Sequence, residues 1–282
     1  MTGTLHVVAT PIGNLEDITL RALRVLREVA VIAAEDTRRT AKLLAHYGIS
    51  TPTISFHEHN ARTRVPQLIS RLRTGESIAV VSDAGTPGVS DPGLDLVQAC
   101  IREGIPLDPV PGPSAVLAAL VASGFPTAPV SFLGFPPARS KDRTSFWAAV
   151  SSSTATVILF ESPHRIRASL DEIASCLGNR LLCVGRELTK LHQEFLRGTA
   201  SDLVNSLNRP RGEFTIVISP PTQSEAQMPE LPDSEGLSAE FGQLMESGGL
   251  SRREAITLLA RKYAKPAREV YARLEAAKGG HS

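Results

Sequence analysis

Residues 79–93 read AVVSDAGTPGVSDPG. An apolar run enters this stretch and ends at Val81, and an amphipathic run leaves it from Leu94. Three glycines, two prolines and small polar residues lie between. That order of strand, tight loop and helix sets the fold. Gly-rich loops of this kind cradle phosphates when their N–H groups converge and a Lys-Ser/Thr pair closes them. This loop has no such ending, and Pro87 and Pro92 each remove a donor. It suits a neutral or cationic ligand better than a triphosphate.

The same alternation repeats on both sides of it. Strand-like Leu5–Ala9, Val31–Ala34, Thr53–Phe56, Ile78–Val81 and Pro106–Val110 are each followed by a helical run: Leu20–Val29, Thr40–His46, Val65–Leu72, Leu94–Ile101 and Ser114–Ala122. Five βα units in succession predict a parallel, doubly wound sheet over residues 1–125. A Pro-rich join, FPTAPVSFLGFPPAR, leads into a second α/β block over residues 126–220. Its strands are expected at Val130–Leu133, Thr156–Phe160, Leu181–Val184, Glu194–Gly198 and Phe214–Ile218, with a helix over Ile166–Cys176. Closely spaced strands late in the block predict a mixed sheet. Residues 221–236 read as an acidic, Pro-rich linker and 237–282 as a small basic helical segment. Within it, SRRE at Ser251–Glu254 has capping-box spacing, and Pro266 suits a helix first turn. From Gly249 onward eight Lys or Arg stand against three Glu, a local net charge of +5 in a chain of +1. That asymmetry fits a nucleic-acid contact or a solvated helical hairpin.

The 282 residues, 42% hydrophobic and 21% charged, are ordinary for a soluble protein with a real core. No apolar run reaches the length of a membrane span, and the N-terminus has no basic region before its first strand. A cytoplasmic protein without a membrane partner is expected. Cys100, Cys176 and Cys183 have no CxxC spacing and read as small buried hydrophobes. His57 and His59 would share one face of a strand, and no pattern predicts a metal site.

The polar motifs fall at the C-terminal ends of the five parallel strands: TPIGN (Thr10–Asn14), EDTRR (Glu35–Arg39), HEHN (His57–Asn60), SDAGTPGVSDPG (Ser82–Gly93) and PGPSA (Pro111–Ala115). In an open parallel sheet that edge holds the ligand. The second block adds ESPHR (Glu161–Arg165), GRELTKLHQEF (Gly185–Phe195) and RGEFTIVI (Arg211–Ile218).

Taken together and in this order, these motifs resemble the tetrapyrrole methylase superfamily, and within it the bacterial 16S rRNA cytidine 2′-O-methyltransferases. The resemblance spans nearly all of residues 4–219. It implies two α/β domains with S-adenosylmethionine between them, a homodimer, and methylation of a cytidine ribose in the decoding region of 16S rRNA. It places Pro11, Asp83, Ala84, Gly85, Thr86, Pro87, Ser114 and Ala115 at the cofactor; Ser114 also stands where a helix N-cap would. A ribose hydroxyl is a poor nucleophile, so a general base is sought among Asp36, His57, Glu58, Glu161 and Glu187. Arg38, Arg165, Arg186 and Lys190 are candidates for RNA phosphates, or for structural ion pairs. Gln193 stands where the family often has an acid. Two rival readings are a methyltransferase of this fold acting on a tetrapyrrole or a protein side chain, and a non-catalytic RNA-binding adaptor.

Overall fold

The structure, a computed structural model, describes residues 2–207, 210–222, 231–246, 251–263 and 267–279. It divides into two compact units, Met1–Pro220 and Pro221–Ser282.

The first unit holds two five-stranded sheets. In the first, β1 (Leu5–Val8), β2 (Val31–Ala34), β3 (Thr53–Ser55), β4 (Ile78–Val81) and β5 (Leu107–Val110) run parallel in the order β3-β2-β4-β1-β5. All four residues of β2 and of β4 are buried, which explains their unbroken apolar sequences VIAA and IAVV. Alternate β2 residues serve opposite faces. Val31 and Ala33 pack with Leu68 and Leu72 of α3 (Ala61–Arg73) and Leu96 of α4 (Leu94–Arg102). Ile32 and Ala34 pack with Leu26 of α1 (Leu20–Glu28) and Leu44 of α2 (Thr37–His46). Neighbouring strands β1 and β4 therefore feed helices on opposite faces of the sheet. A crevice opens between their C-terminal ends, the usual ligand position in such sheets.

The second sheet is mixed, as expected. Its strands β6 (Val130–Phe132), β7 (Thr156–Glu161), β8 (Leu181–Arg186), β9 (Glu194–Thr199) and β10 (Phe214–Ile218) lie in the order β6-β7-β10-β8-β9. Only the β6–β7 pair is parallel. One face is covered by α6 (Ser140–Ser152), α7 (Ile166–Leu177) and α8 (Ala200–Ser206), through residues such as Trp147, Leu170 and Leu203. The other face, Ile158, Cys183 and Val217, packs on Ala119 and Leu120 of α5 (Ala115–Ser123). The helix of the fifth βα unit thus covers the second sheet and links the two halves.

Helices α6 and α8 were not expected from the sequence. Helix α2 begins at Thr37, three residues earlier than expected, because Asp36 caps it. Cys100 and Cys183 are buried, but Cys176 is exposed: it lies on the outer side of α7, away from the Ile166, Leu170 and Ile173 stripe.

The second unit comprises α9 (Ser234–Glu246), α10 (Arg252–Lys262) and α11 (Ala267–Gly279). Leu237, Leu259, Tyr263, Val270 and Leu274 form its core. The expected capping box opens α10: Ser251 Oγ accepts from Glu254 N at 3.4 Å, and Glu254 Oε2 accepts from Ser251 N at 2.9 Å. Pro266, Lys265 and residues 223–230 of the expected linker lie outside the described residues. Among the described residues no helix is long and apolar enough to cross a membrane.

Candidate cofactor cleft and adjoining cavity

The loop after β4 is pinned to the end of β1 by two backbone bonds. Thr10 N donates to Gly85 O at 2.9 Å, and Gly85 N donates to Thr10 O at 3.0 Å. Gly85 holds φ +76°, a conformation that glycine adopts without strain. A side chain there would meet Ile12 and Pro113 only at ordinary contact distance, 3.6 and 3.9 Å. The glycine is therefore required by backbone conformation rather than by crowding.

On one side of this loop lies a cleft of about 360 Å³. The first sheet supplies Ile12, Ala84–Thr86, Val89–Asp91 and the start of α5; the second supplies Phe135, Phe160–Pro163, Leu188 and Glu213–Thr215. The cleft lies between the sheets because their loops interlock. A side chain on Gly13 would stand 2.4 Å from Lys190 Cγ and 2.8 Å from Leu188 O, and Asn14 N donates to Thr189 Oγ1 at 3.1 Å. Three non-glycine residues in or beside the cleft hold positive φ: Ser90 (63°), Glu187 (49°) and Thr189 (65°). Such conformations concentrate where a site is held against local preference.

Among the described residues no Lys or Arg lines the cleft, whereas three carboxylates do: Asp91, Glu161 and Glu213. Glu161 is buried and fully engaged. Its Oε1 accepts from Ser162 N at 2.7 Å and pairs with Arg165 Nε at 3.0 Å, while Oε2 accepts from Ser169 Oγ at 2.6 Å. Glu213 pairs with Lys190 at 3.1 Å. Asp91 has no ion-pair partner among the described residues. Burial, with Glu35 as the next cause, pushes its carboxyl up to about 7.

On the other side of the loop is a smaller cavity of about 170 Å³, lined by Thr10, Pro11, Arg39, Lys42, Ser82 and Asp83 among others. Asp83 organises it. Its Oδ1 accepts from Asp36 N at 3.1 Å, its Oδ2 pairs with Arg39 at 3.2 Å, and its N–H donates to Glu35 Oε2 at 3.0 Å.

The residues singled out in the sequence divide between these places. Ala84, Gly85, Thr86, Ser114 and Ala115 line the cleft; Pro11 and Asp83 line the second cavity; Pro87 lines neither. Ser114 also caps α5, accepting from Leu117 N at 3.4 Å. Of the candidate bases, only Glu161 faces the cleft. Asp36 caps α2 and is held far below the usual carboxylate range by its hydrogen bonds from Arg38. Glu187 is lowered by Lys190, 2.8 Å away, and its Oε1 also accepts from Glu213 N at 3.0 Å. His57–Asn60 is a turn rather than a strand, so the His57 and His59 rings meet edge-on at 5.9 Å instead of lining one face. His57 Nε2 is 3.2 Å from Asn60 Nδ2, and its buried Nδ1 has no hydrogen-bond partner among the described residues. Glu58 is exposed. Arg38, Arg165 and Lys190 each pair with a candidate base, and Arg186 stands 3.4 Å from Glu194. Gln193 accepts from Thr189 N at 2.7 Å, so it braces the strained loop without an acid's charge.

Asp91, Glu213, Phe135, Phe160 and Thr215 line the cleft but were not singled out. Asp91 lay inside the stretch read as a glycine scaffold. Glu213 immediately precedes β10, and antiparallel pairing brings Phe214 opposite both Glu161 and Arg186 at the ends of β7 and β8.

A mostly parallel sheet joined to a mixed one across an anionic cleft defines an α/β enzyme architecture. The family described as Tetrapyrrole (Corrin/Porphyrin) Methylases matches residues 4–204, and the chain belongs to it. It is similar to Ribosomal RNA small subunit methyltransferase I of Halalkalibacterium halodurans, 44% identical over 272 residues, covering 95% of this chain and 93% of that one. The protein of the same name from Thermotoga maritima is 48% identical over 219 residues, covering 77% and 98%. Among solved structures, uroporphyrin-III-C-methyltransferase from Thermus thermophilus shares the fold at TM-score 0.55 and 22% identity, covering 76% of this chain and 94% of that one. A diphthine synthase does so at 0.60 and 14%, covering 79% and 93%. The first of these enzymes has also been solved complexed with S-adenyl homocysteine.

The chain is an S-adenosylmethionine-dependent methyltransferase. The residues present fit that cofactor. Aromatic and aliphatic walls suit an adenosine, the carboxylates suit a cationic sulfonium, and the capped start of α5 offers N–H groups to a carboxylate.

Proposed function

We propose that this protein methylates the ribose 2′-oxygen of a cytidine in the decoding region of 16S rRNA, within the small ribosomal subunit. The observation that carries the reading is the pair of cavities on either side of the β4 loop. One is anionic and apolar, and its neighbour presents Arg39 and Lys42. A nucleotide phosphate held by the second would bring its ribose to the mouth of the first. The match to rRNA methyltransferases over 95% of the chain supports RNA as the substrate class.

S-adenosylmethionine supplies an activated methyl group on sulfur. The protein's part is alignment of the hydroxyl with that methyl, which contributes much of the rate. Pro11, Asp83, Ala84, Gly85, Thr86, Pro87, Ser114 and Ala115 belong to the loops that shape the cofactor site, and Asp83 ties it to the RNA-facing cavity. Asp36, Glu161 and Glu187 are committed to ion pairs and act as braces, together with Arg38, Arg165, Arg186 and Lys190. Among the five candidate bases, His57 and Glu58 remain as acceptors for the hydroxyl proton. The enzyme works in the cytoplasm as a homodimer. Exposed Leu117 and Val121 on α5, with Leu191 and Leu20, supply apolar surface for a second copy.

Purified protein, S-adenosylmethionine and unmodified small subunits should yield one alkali-resistant linkage, since the methyl removes the attacking hydroxyl. A 2′-deoxy substitution at that cytidine should abolish transfer. Methylation of the deoxy substrate would place the methyl on the base and overturn the reading.

A further inference from the structure

The cofactor and its product differ at one place. Loss of the methyl turns a positive sulfonium into a neutral thioether, while the amino, carboxylate and adenosine groups stay the same. An enzyme that turns over must hold the first and release the second. Of the three carboxylates lining the cleft, Glu161 is paired with Arg165, and Glu213 shares Lys190 with Glu187. Asp91 is not so matched. The strained Ser90 and the following Pro92 fix it on the cleft wall. Around it stand Ser82 and the acids Glu35, Asp83 and Glu213. Arg39 and Lys190 bind Asp83 and Glu213 respectively, so these cations are already engaged. The site holds an excess of negative potential with no resident cation among the described residues.

We propose that Asp91 is the residue that makes the cleft prefer the sulfonium cofactor to its neutral thioether product. This rests on the reading of the cleft as the S-adenosylmethionine site. When the cleft is empty, burial and the neighbouring acids hold a proton on Asp91 up to about pH 7. A bound cation favours the ionised form, so cofactor binding below pH 7 expels that proton. Affinity for S-adenosylmethionine then rises with pH until the carboxylate is ionised. Affinity for S-adenosylhomocysteine, with no charge at sulfur, does not gain in this way. After transfer the ionised carboxylate faces a neutral sulfur, and its cost of burial favours product release.

Titration calorimetry with each of the two ligands tests this without a turnover measurement. Wild type in two buffers of different ionisation heat should release more protons with S-adenosylmethionine than with S-adenosylhomocysteine at pH 6. The ratio of the two affinities should rise about tenfold between pH 6 and 8, as expected for roughly one unit of differential interaction. Asp91→Asn, close in shape, should keep its affinity for S-adenosylhomocysteine within a few-fold and show a low ratio that no longer changes with pH. Equal proton release for both ligands in wild type, or a wild-type ratio in Asp91→Asn, overturns the proposal. The wild-type proton count stands even if the variant fails to fold. Failure of wild type to bind either ligand would instead overturn the cofactor reading.

Discussion

The two cavities beside the β4 loop are built on the same strand ends and differ in charge. Among the described residues, the cleft has three carboxylates and no cationic side chain on its wall. The smaller cavity has Arg39 and Lys42 around Asp83. Residues 82–83 serve one and residues 84–86 the other, so the change of character occurs within two or three residues. In the proposed reading, one sheet edge takes ligands of opposite charge side by side. The carboxylate-bearing cleft takes part of its wall from the second sheet, with the aromatic rings of Phe135 and Phe160 beside the acids. The smaller cavity is lined by residues of the first sheet's loops and α2 alone, with Arg39 exposed at its edge. A ligand bridging both would have its phosphate and its reacting hydroxyl separated by the width of one loop.

The largest effect is expected from removing a brace of the cleft. Glu161→Ala would strand Arg165 and leave Ser162 N–H and Ser169 Oγ without their acceptor. Breaking a buried pair costs about 3–5 kcal/mol, and the partial exposure of Arg165 lowers this to about 2–3 kcal/mol. Denaturant unfolding measures it, and Glu161→Gln should recover part of the loss. If Glu161→Ala leaves stability unchanged but abolishes methyl transfer, Glu161 acts in the reaction and the contrast between braced and free carboxylates fails.

The sequence carried the parallel half of the architecture further than the mixed half, for a physical reason. In a parallel sheet every functional loop follows a strand, so TPIGN, EDTRR, HEHN, SDAGTPGVSDPG and PGPSA all announce the same edge. In the mixed sheet the edge is assembled from the end of β7, the end of β8 and the start of β10, and strand order alone does not tell which termini meet. Glu213 was missed for that reason. Asp91 was missed because a carboxylate's role there depends on the absence of a partner, and sequence spacing does not reveal partners. The same limit applies to Arg165 and Lys190: the sequence left both open as phosphate contacts or structural ion pairs, and the structure shows them paired. Helix α6 escaped because SKDRTSFWAAVSS buries only Trp147 and Val150, too few apolar positions to set a helical period.

A smaller effect is expected at the shared loop. Gly85→Ala should cost about 1–2 kcal/mol, the penalty for a side chain in the left-handed region. Its Cβ clashes with nothing, so the fold survives. Cofactor affinity should fall several-fold by calorimetry, because Gly85 lines the cleft. RNA affinity should stay near wild type, because Gly85 does not line the second cavity. A parallel loss of both affinities would mean the two sites are one.

The smallest effect is expected from the basic helices of the second unit, and it is best read against Arg39 and Lys42. Removing that pair should weaken RNA binding about tenfold and flatten the salt dependence by roughly one to two units of slope, one per lost phosphate contact. Neutralising Arg252, Arg253, Arg261 and Lys262 removes twice as many charges, yet should change affinity only about threefold. The reason is prior commitment. Arg252 pairs with Glu275 at 2.5 Å and stacks over Tyr271, and Lys262 pairs with Glu240 at 2.5 Å. A phosphate would have to displace those carboxylates, and exposed pairs exchanged one for another yield little net energy. Arg273 is also engaged, donating to Leu231 O at 3.0 Å and Pro232 O at 3.2 Å, which anchors α11. Binding to small subunits over a series of salt concentrations distinguishes the cases. A tail variant with wild-type affinity and slope removes the second unit from the RNA interface. A tail variant that loses more than the Arg39 and Lys42 pair would show that the +5 segment, rather than the cavity beside the cleft, supplies most of the electrostatic grip.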